Sequence, residues 1–220
     1  MADSLERLEQ VRGAIAGAAK LAGRSADEVT LIAVSKTQPV SAIERLIEAG
    51  QRHFGENRVQ EAAAKWPALR GLHGDLRLHL VGRLQSNKAE EAVALFDVIH
   101  SVDRPSLVSA LGRAMDRIGR RPDCFLQVNI GDEPQKGGCA VADVPDLLEA
   151  AQDVALPIVG LMCIPPAEVE PAPYFALLAK LARRHDVKAL SMGMSADFET
   201  AVMVGATHVR VGSALFGERE

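Results

Sequence analysis

The sequence predicts an α/β fold, a single (β/α)8 TIM barrel covering residues 1–220 with an extra helix at its N-terminus. Eight strand candidates alternate with segments of helical periodicity along the chain. Alternating β and α units form a parallel sheet with right-handed crossovers, and eight units favour closure into a barrel. The first βα turn lacks the GxGxxG motif of dinucleotide-binding folds, which argues against an open doubly wound sheet.

The elements follow from this periodicity in order. The opening helix covers residues 4–22, where apolar side chains recur at helical spacing. The predicted strands are 30–34, 52–55, 76–81, 96–100, 124–129, 157–161, 188–191 and 207–211. The predicted helices between and after them are 40–49, 57–65, 87–95, 105–118, 144–152, 174–184 and 197–204. Pro67 is expected to stop the second of these helices, because proline breaks the helical hydrogen-bond pattern.

Composition excludes several classes of function. A net charge of −4 gives no electrostatic reason to bind nucleic acid or an anionic membrane, and 4% aromatics make base stacking unfavourable. No apolar run approaches the length of about 20 residues that spans a membrane. The three cysteines lack CxxC spacing, which predicts reduced thiols in the cytoplasm. The six histidines are scattered without metal-ligand spacing, so no metal site is expected.

Lys36 is the first candidate site residue. It follows the apolar segment 30–34, and Pro39 just beyond it prevents the strand from continuing. A lysine at the C-terminal end of a buried strand is partly desolvated, which favours the neutral amine that forms Schiff bases with carbonyl groups. The alternative is a lysine that extends to the surface without chemical function.

The last two βα loops predict a phosphate site. Barrels often bind phosphate on the loops after strands seven and eight, at the N-terminus of a following helix. Gly193 and Gly212 allow close backbone approach there, and Ser195 and Ser213 supply hydroxyl donors. Ser195 alone is better explained as the N-cap of the next helix, but two such loops in the expected places favour a phosphate site. A phosphate site and an amine at one barrel mouth predict a pyridoxal phosphate site.

Arg210 lies on the last strand, two residues before the phosphate loop. An inward arginine there faces the pyridine nitrogen and, because it does not give up its proton, leaves that nitrogen unprotonated. This arrangement suits racemase-type chemistry or no chemistry. The alternative is an ion pair inside the barrel with an acid such as Glu56.

A series of segments resembles the pyridoxal phosphate homeostasis protein family, whose fold resembles the N-terminal barrel of alanine racemase. The segments are 31–36, 54–57, 79–88, 127–129 with 136–138, 160–165, 190–198 and 210–217. They span almost the whole chain in the family's order and spacing. The Gln-Ser-Asn-Lys block at 85–88 and the Ser-Met-Gly-Met-Ser block at 191–195 are the most specific. Arg83 and Cys163 depart from the residues expected of the family, without removing a cofactor contact.

The resemblance implies that Lys36 holds pyridoxal 5′-phosphate (PLP) covalently as an internal aldimine. It implies that Asn57 and His79 line the cofactor ring and that Arg210 approaches the pyridine nitrogen. It also implies a phosphate shell made by Ser191, Met192, Gly193, Ser195, Gly212 and Ser213. No residue is assigned a catalytic role.

The resemblance also implies a PLP carrier in vitamin B6 homeostasis, without established turnover and with effects on amino-acid and keto-acid metabolism. Racemisation needs acid/base groups on both faces of the substrate, and racemases of this fold take a tyrosine from a second domain. This chain ends after its eighth βα unit, and its only tyrosine, Tyr174, is expected to be a packing residue. We expect a cytoplasmic monomer that contacts PLP-dependent enzymes transiently.

Alternatives stay open at this point. One is a PLP-dependent amino-acid racemase of low activity, or a decarboxylase. Another is an aldolase in which Lys36 attacks a sugar-phosphate ketone. A third places PLP on Lys136, although the glycines beside it predict a mobile loop and a poor platform for a nucleophile. A related hypothesis is that the loop 131–138 gates cofactor release.

Overall fold

The computed structural model describes residues 4–217 and contains a closed barrel of eight parallel strands surrounded by helices. The strands are β1 (Thr30–Val34), β2 (His53–Glu56), β3 (Arg77–Leu80), β4 (Val98–Val102), β5 (Asp123–Val128), β6 (Ile158–Cys163), β7 (Ala189–Ser191) and β8 (His208–Val211). Each strand pairs with its neighbour in chain order, and β8 closes the barrel against β1 with Arg210 opposite Ile32. The predicted (β/α)8 fold is confirmed.

The helices form the outer layer. They are α1 (Ser4–Leu21), α2 (Val40–Glu48), α3 (Val59–Leu72), α4 (Ala89–Leu95), α5 (Pro105–Ile118), α6 (Val144–Asp153), α7 (Ala172–Arg184), α8 (Phe198–Met203) and α9 (Ser213–Phe216). The extra N-terminal helix α1 packs on α2, α8 and α9, and buries Leu8, Val11 and Ile15. This is the helical face that the sequence periodicity predicts.

The predicted end of α3 is wrong. The helix continues through Pro67 to Leu72, although proline removes one helical hydrogen bond. Trp66 and Leu69 on either side of it are buried, and the Trp66 indole donates to Glu56 at 3.1 Å. This tertiary packing outweighs the local preference of proline. The four-residue helix α9, which is absent from the sequence prediction, follows Gly212 directly.

Successive side chains of each strand alternate between the barrel interior and the helical layer, as strand geometry requires. On β2, Phe54 and Glu56 contact Trp66 of α3, whereas His53 faces the interior. On β8, Val209 and Val211 belong to the core between strands and helices. Arg210 of the same strand reaches across the interior to Ser191. The interior of the barrel therefore holds polar side chains of β2 and β8, next to a small apolar cluster that includes Phe125 and Met162.

Gly160 on β6 is expected to be irreplaceable. A methyl group there would lie 2.1 Å from the carbonyl oxygen of Ala189 on the paired strand β7. Since a backbone oxygen does not yield as a side chain does, Gly160→Ala should destabilise the protein by about 3 kcal/mol in urea unfolding. Gly17→Ala is the control, because nothing lies within 4 Å of that position in α1. Gly17→Ala should raise the free energy of unfolding by about 0.5–1 kcal/mol. Equal changes in the two variants would contradict the argument that Gly160 has no room for a methyl group.

Across residues 4–217, no helix combines the length and the apolar character that a membrane crossing requires.

All three cysteines are buried and free of disulfides. Burial raises the thiol pKa of Cys139 and of Cys163 to about 12 in each case. Both thiols therefore stay protonated at neutral pH.

Candidate functional site

A cavity of about 560 Å³ opens at the C-terminal ends of the strands, where barrel enzymes place their sites. Its lining includes these sequence-predicted site residues: Lys36, Asn57, Ser195, Arg210, Gly212 and Ser213. Residues that were not singled out also line it, among them Val81, Gly82 and Ile164. Gly82 lies against the backbone of Asn57, where a Cβ would come within 2.2 Å of the Asn57 carbonyl oxygen. The sequence feature that could have indicated Gly82 is its position just after a strand and before polar residues.

Lys36 is half-buried in this cavity, just after β1. The residues on either side of it are held from behind by α3. The amine of Lys65 donates to the Ser35 carbonyl at 3.1 Å, and the Thr37 N–H donates to Glu61 at 2.5 Å. Thr37 has a φ of 62°, a strained conformation for a β-branched residue. Contacts from α3 therefore hold the backbone on both sides of Lys36 in a fixed conformation.

Glu56 connects these contacts. Its carboxylate is fully buried and accepts from the Ser35 hydroxyl at 2.8 Å and from the Trp66 indole. Lys65 forms an ion pair with it at 2.8 Å and a second one with Glu61 at 3.0 Å. Burial raises the pKa of Glu61, but the Thr37 N–H and Lys65 outweigh burial and lower it. Glu61 therefore stays ionised at neutral pH.

Replacing Glu56 with alanine should destabilise the protein by about 3–5 kcal/mol, because Lys65 would lose its buried partner. Glu56→Gln keeps the shape and an acceptor, so its cost should be smaller. Glu90→Gln is the matched control, since Glu90 and Arg117 form an ion pair with both side chains more than half exposed. Such surface pairs contribute about 0–1 kcal/mol. Urea unfolding measures all three, and a Glu56→Ala cost as small as that of Glu90→Gln would refute the network.

The two glycine-containing loops meet at one side of the cavity. The Ser195 hydroxyl accepts from the N–H of Gly212 at 3.2 Å and of Ala214 at 3.4 Å. The N-cap of α8 is Asp197, so Ser195 does not serve as the cap of that helix. Gly193 adopts a φ of 93° and packs against Phe198, which leaves no room for a side chain. The backbone donors of the β8 loop therefore converge on one hydroxyl at the cavity wall.

Arg210 lies at the cavity floor and is 5% exposed. Its guanidinium donates to the Ser191 hydroxyl at 2.6 Å and to the Cys163 carbonyl at 2.8 Å. The alternative of an Arg210–Glu56 ion pair is wrong, because Glu56 faces the helices and pairs with Lys65. Burial lowers the pKa of Arg210, although a guanidinium keeps its proton in proteins.

The remaining predicted residues lie beside the cavity and do not line it. Ser191 and Met192 are fully buried, and His79 is 1% exposed in the barrel interior. Gly193 supports the loop through its backbone conformation. Their roles as phosphate or ring contacts stay predictions. The structure also brings together four of the six histidines, which sequence spacing alone presents as scattered.

Lys136, the alternative attachment residue, does not line the cavity. Its amine donates to the Pro165 carbonyl at 2.9 Å and pairs with Glu133 at 2.5 Å. The neighbouring Gly137 does reach the cavity wall. Lys36 is therefore the lysine whose side chain lines this cavity in the described part of the chain.

Comparisons with known proteins agree with this geometry. The family model for the alanine racemase N-terminal domain matches residues 12–220. The pyridoxal phosphate homeostasis protein of Escherichia coli K12 is 39% identical, with 100% of this chain and 98% of that protein covered. The protein of the same name from Pseudomonas aeruginosa is 40% identical over 100% of this chain and 97% of its own length.

Solved structures show the same relationship. PipY of Synechococcus elongatus, solved with PLP bound, superposes with a TM-score of 0.84 at 42% identity and covers 98% of this chain and 100% of its own. An alanine racemase from Clostridium difficile superposes with a TM-score of 0.72 at 14% identity, covering 94% of this chain and 55% of the racemase. At that identity the racemase supports the fold alone.

Proposed function

Because this chain belongs to the pyridoxal phosphate homeostasis protein family, we propose that it binds PLP and takes part in intracellular PLP homeostasis. In this proposal residues 1–220 act as one cofactor-binding domain. Lys36 holds PLP covalently, and the protein buffers the cofactor or delivers it to PLP-dependent enzymes through transient contacts. The protein acts in the cytoplasm as a monomer, with effects on amino-acid and keto-acid metabolism.

One observation carries the proposal: a single cavity joins a lysine amine, a buried guanidinium and a hydroxyl at convergent backbone donors. PLP supplies an aldehyde carbon that an amine attacks with loss of water, a phosphate and a ring nitrogen. Lys36 would supply the amine, and Ser195, Gly212 and Ser213 would bind the phosphate. Arg210 would donate to the ring nitrogen, and Asn57 would line the ring. The donor set of this cavity therefore fits the cofactor.

Absence of turnover is also part of the proposal. Two-sided proton transfer requires a second acid or base opposite Lys36. Tyr174, the only tyrosine in the sequence, packs against the core from α7 and does not line the cavity. Lys36 alone would move a proton on one face, which supports slow side reactions and no efficient racemisation. The relatives from Escherichia coli and Pseudomonas aeruginosa are named homeostasis proteins, which supports the same interpretation.

The test is the visible absorbance of the purified protein with added PLP, before and after borohydride, followed by peptide mapping. We expect a yellow band that borohydride removes, with the reduced adduct on the peptide that contains Lys36. A protein that stays colourless and takes up no PLP would refute the proposal. Steady interconversion of an L- and a D-amino acid by the loaded protein would favour the low-activity racemase.

A further inference from the structure

A continuous hydrogen-bond chain crosses the barrel interior from its N-terminal end to the cavity floor. His53 Nδ1 lies 3.0 Å from His79 Nε2, and His79 Nδ1 lies 3.0 Å from His100 Nε2. His100 Nδ1 lies 2.8 Å from the Ser191 hydroxyl, which receives the Arg210 guanidinium at 2.6 Å. We call this set the histidine chain. It begins at the first residue of β2, at the end of the barrel opposite the mouth.

The inner members of the histidine chain are shielded from water. His79 is 1% exposed, and His100 and Ser191 are fully buried. Phe125 stacks on the His100 ring with centroids 4.4 Å apart. Burial, followed by the positive neighbours of the rings, holds the pKa of His79 and of His100 well below the ordinary value near 6.5. These two rings are therefore neutral at pH 7, and each carries one proton on one of its two nitrogens.

Arg210 sets the direction of the chain, because a guanidinium only donates. Ser191 accepts from Arg210, so its own hydrogen is free to donate to His100 Nδ1. His100 then carries its proton on Nε2 and donates to His79 Nδ1. In the opposite direction, the Ser191 hydroxyl would face two donors and have no acceptor among its partners in residues 4–217. A buried hydroxyl without an acceptor is costly, which favours the first arrangement.

Because His79 Nδ1 accepts from His100, His79 carries its single proton on Nε2 and donates it to His53 Nδ1. The Nε2–H of His53 is then the last donor of the chain, at the end of the barrel away from the cavity. His53 also lines a second cleft, together with Thr30 and Gln51. The chain thus connects the two ends of the barrel with every hydrogen bond pointing the same way.

We propose that Ser191, His100, His79 and His53 are positioning residues that orient Arg210 and couple it to the protonation of His53. The relevance of Arg210 to PLP rests on the proposed function. The histidine chain itself is present in the protein without cofactor and can be tested there. If His53 becomes doubly protonated, its Nδ1 no longer accepts from His79. The hydrogen bonds between the three rings are then restored when His79 and His100 both hold their single proton on Nδ1. Each ring other than His53 keeps one proton, so the change adds one proton in total.

This reversal alters the Arg210 end. His100 Nδ1–H would donate to Ser191 in place of accepting from it, so that the Ser191 oxygen accepts from both Arg210 and His100 while its own hydrogen loses its buried acceptor. The contact that fixes the guanidinium would weaken. Protonation at one end of the barrel is thereby transmitted to the floor of the cavity at the other end.

Several charged and titratable groups face the chain. Burial lowers the pKa of His53, Arg77 lowers it further and Asp97 raises it. Arg12, Asp27 and Arg52 line the same cleft as His53. His208 faces His79 and His100 with ring centroids 6.3 and 6.1 Å away, but its Nδ1 pairs with Thr207 at 2.8 Å. His208 is thus a neighbour of the chain and not a member of it.

The first test is long-range ¹H–¹⁵N correlation spectroscopy of the labelled protein without added cofactor, which distinguishes the two tautomers of a neutral histidine. At about pH 7 we expect the Nε2–H tautomer at both His79 and His100. Ser191→Ala should leave His100 as a mixture of tautomers, whereas His208→Gln should leave both rings unchanged. An Nδ1–H tautomer at His79 or His100, or a Ser191→Ala spectrum like that of the original protein, would overturn the proposal.

The coupling has its own test and does not depend on Ser191→Ala folding. As the pH is lowered from about 7 while the protein stays folded, His79 and His100 should switch to Nδ1–H together with protonation of His53, whose pKa burial lowers. In His53→Phe, at the half-buried end of the chain, no such joint switch should occur. Protonation of His53 while the other two rings keep Nε2–H would refute the coupling.

A final readout connects the chain to the cavity. Under the proposed function, Ser191→Ala should raise the PLP concentration for half-saturation about tenfold, since it removes one hydrogen bond to a charged group. His208→Gln should leave that concentration unchanged, and the same tenfold rise in His208→Gln would overturn the positioning role. If no PLP binds but the tautomers are as expected, the proposed function is refuted and the orientation of the histidine chain is supported. If PLP binds but the tautomers are mixed, the histidine chain alone fails.

Discussion

Replacing Lys36 with alanine is expected to abolish borohydride-stable attachment of PLP to the protein. Lys36 is the described lysine that lines the cavity, and a covalent bond to the aldehyde carbon needs its amine. The phosphate donors remain in this variant, so PLP should still bind reversibly. The measurement is mass spectrometry of the protein after PLP addition and borohydride reduction. The expected result is complete loss of the mass increment that the original protein shows.

Lys136→Ala is the matched control for this change. Lys136 lies on the neighbouring loop but is bound to the Pro165 carbonyl and to Glu133, away from the cavity. Its removal should leave the reduced adduct in full. If Lys36→Ala kept the adduct and Lys136→Ala lost it, the attachment residue would be Lys136, and the cavity assignment would need to include the loop 131–138.

Lys36→Arg separates charge from nucleophilicity. It keeps a cation in the cavity, but a guanidinium does not lose its proton and so does not attack an aldehyde. Adduct formation should therefore be lost as it is in Lys36→Ala. Adduct formation in Lys36→Arg but not in Lys36→Ala would mean that the side chain acts through its charge on another nucleophile.

The order of the elements was predictable because period and alternation are local properties of the chain. Eight strand candidates in a βα alternation suffice for a parallel barrel, and the structure closes it as expected. Individual boundaries were less predictable. Helix α3 passes Pro67 because Trp66 and Leu69 bind it to the core. β4 begins at Val98, two residues later than the periodicity predicts. The continuation of α3 reflects tertiary contacts that override local preference, whereas the start of β4 shows that strand ends are not fixed by periodicity alone.

The cavity residues were predictable for a topological reason. In a parallel barrel all C-terminal strand ends face one mouth, so polar residues after strands converge there. Lys36, Ser195 and Arg210 share the cavity although they are far apart in the sequence. The side of a strand on which a residue lies was harder to predict. The alternative that paired Arg210 with Glu56 failed because one faces the interior and the other faces α3.

The histidine chain was beyond sequence reasoning because its contacts depend on the register of several strands. His53 and His79 are 26 residues apart, and His100 and Ser191 are 91 apart. A signal was nevertheless present. His79 is an inward position of β3, and His208 and Arg210 are alternate positions of β8. Alignment of inward positions, strand by strand, would have suggested a polar interior with several imidazoles.

The polar interior leads to the second large effect, a steep loss of stability in mild acid. Burial, the main cause in each case, lowers the pKa of His79, His100 and His208, in the last case to about 4. In the unfolded chain these groups titrate near 6.5. Between about pH 6.5 and about pH 4 the unfolded state therefore binds more protons than the folded state. The free energy of unfolding must then fall as the pH falls through this window.

The magnitude follows from the number of protons taken up. Each histidine that charges only on unfolding costs about 1.4 kcal/mol per pH unit, so His79, His100 and His208 together cost roughly 4 kcal/mol per unit. His53, whose pKa burial also lowers, adds to this loss. Since small domains are stable by about 5–15 kcal/mol, acid unfolding is expected near pH 4–5. Urea unfolding at a series of pH values measures the slope directly. A slope equivalent to one proton or fewer would mean that the interior histidines are already charged in the folded protein.

Single substitutions assign this slope to particular rings. His208→Gln should reduce it by about 1.4 kcal/mol per pH unit between about pH 6.5 and pH 4, because one buried titrating group is removed. His185→Gln, at the end of α7 and outside the barrel interior, is the control and should leave the slope unchanged. Asp75 and Glu61, whose pKa values are lowered by their hydrogen bonds, add their own loss only below about pH 4.5. A loss of stability that begins near pH 6.5 therefore belongs to the histidines of the barrel interior and not to the carboxylates of its surface.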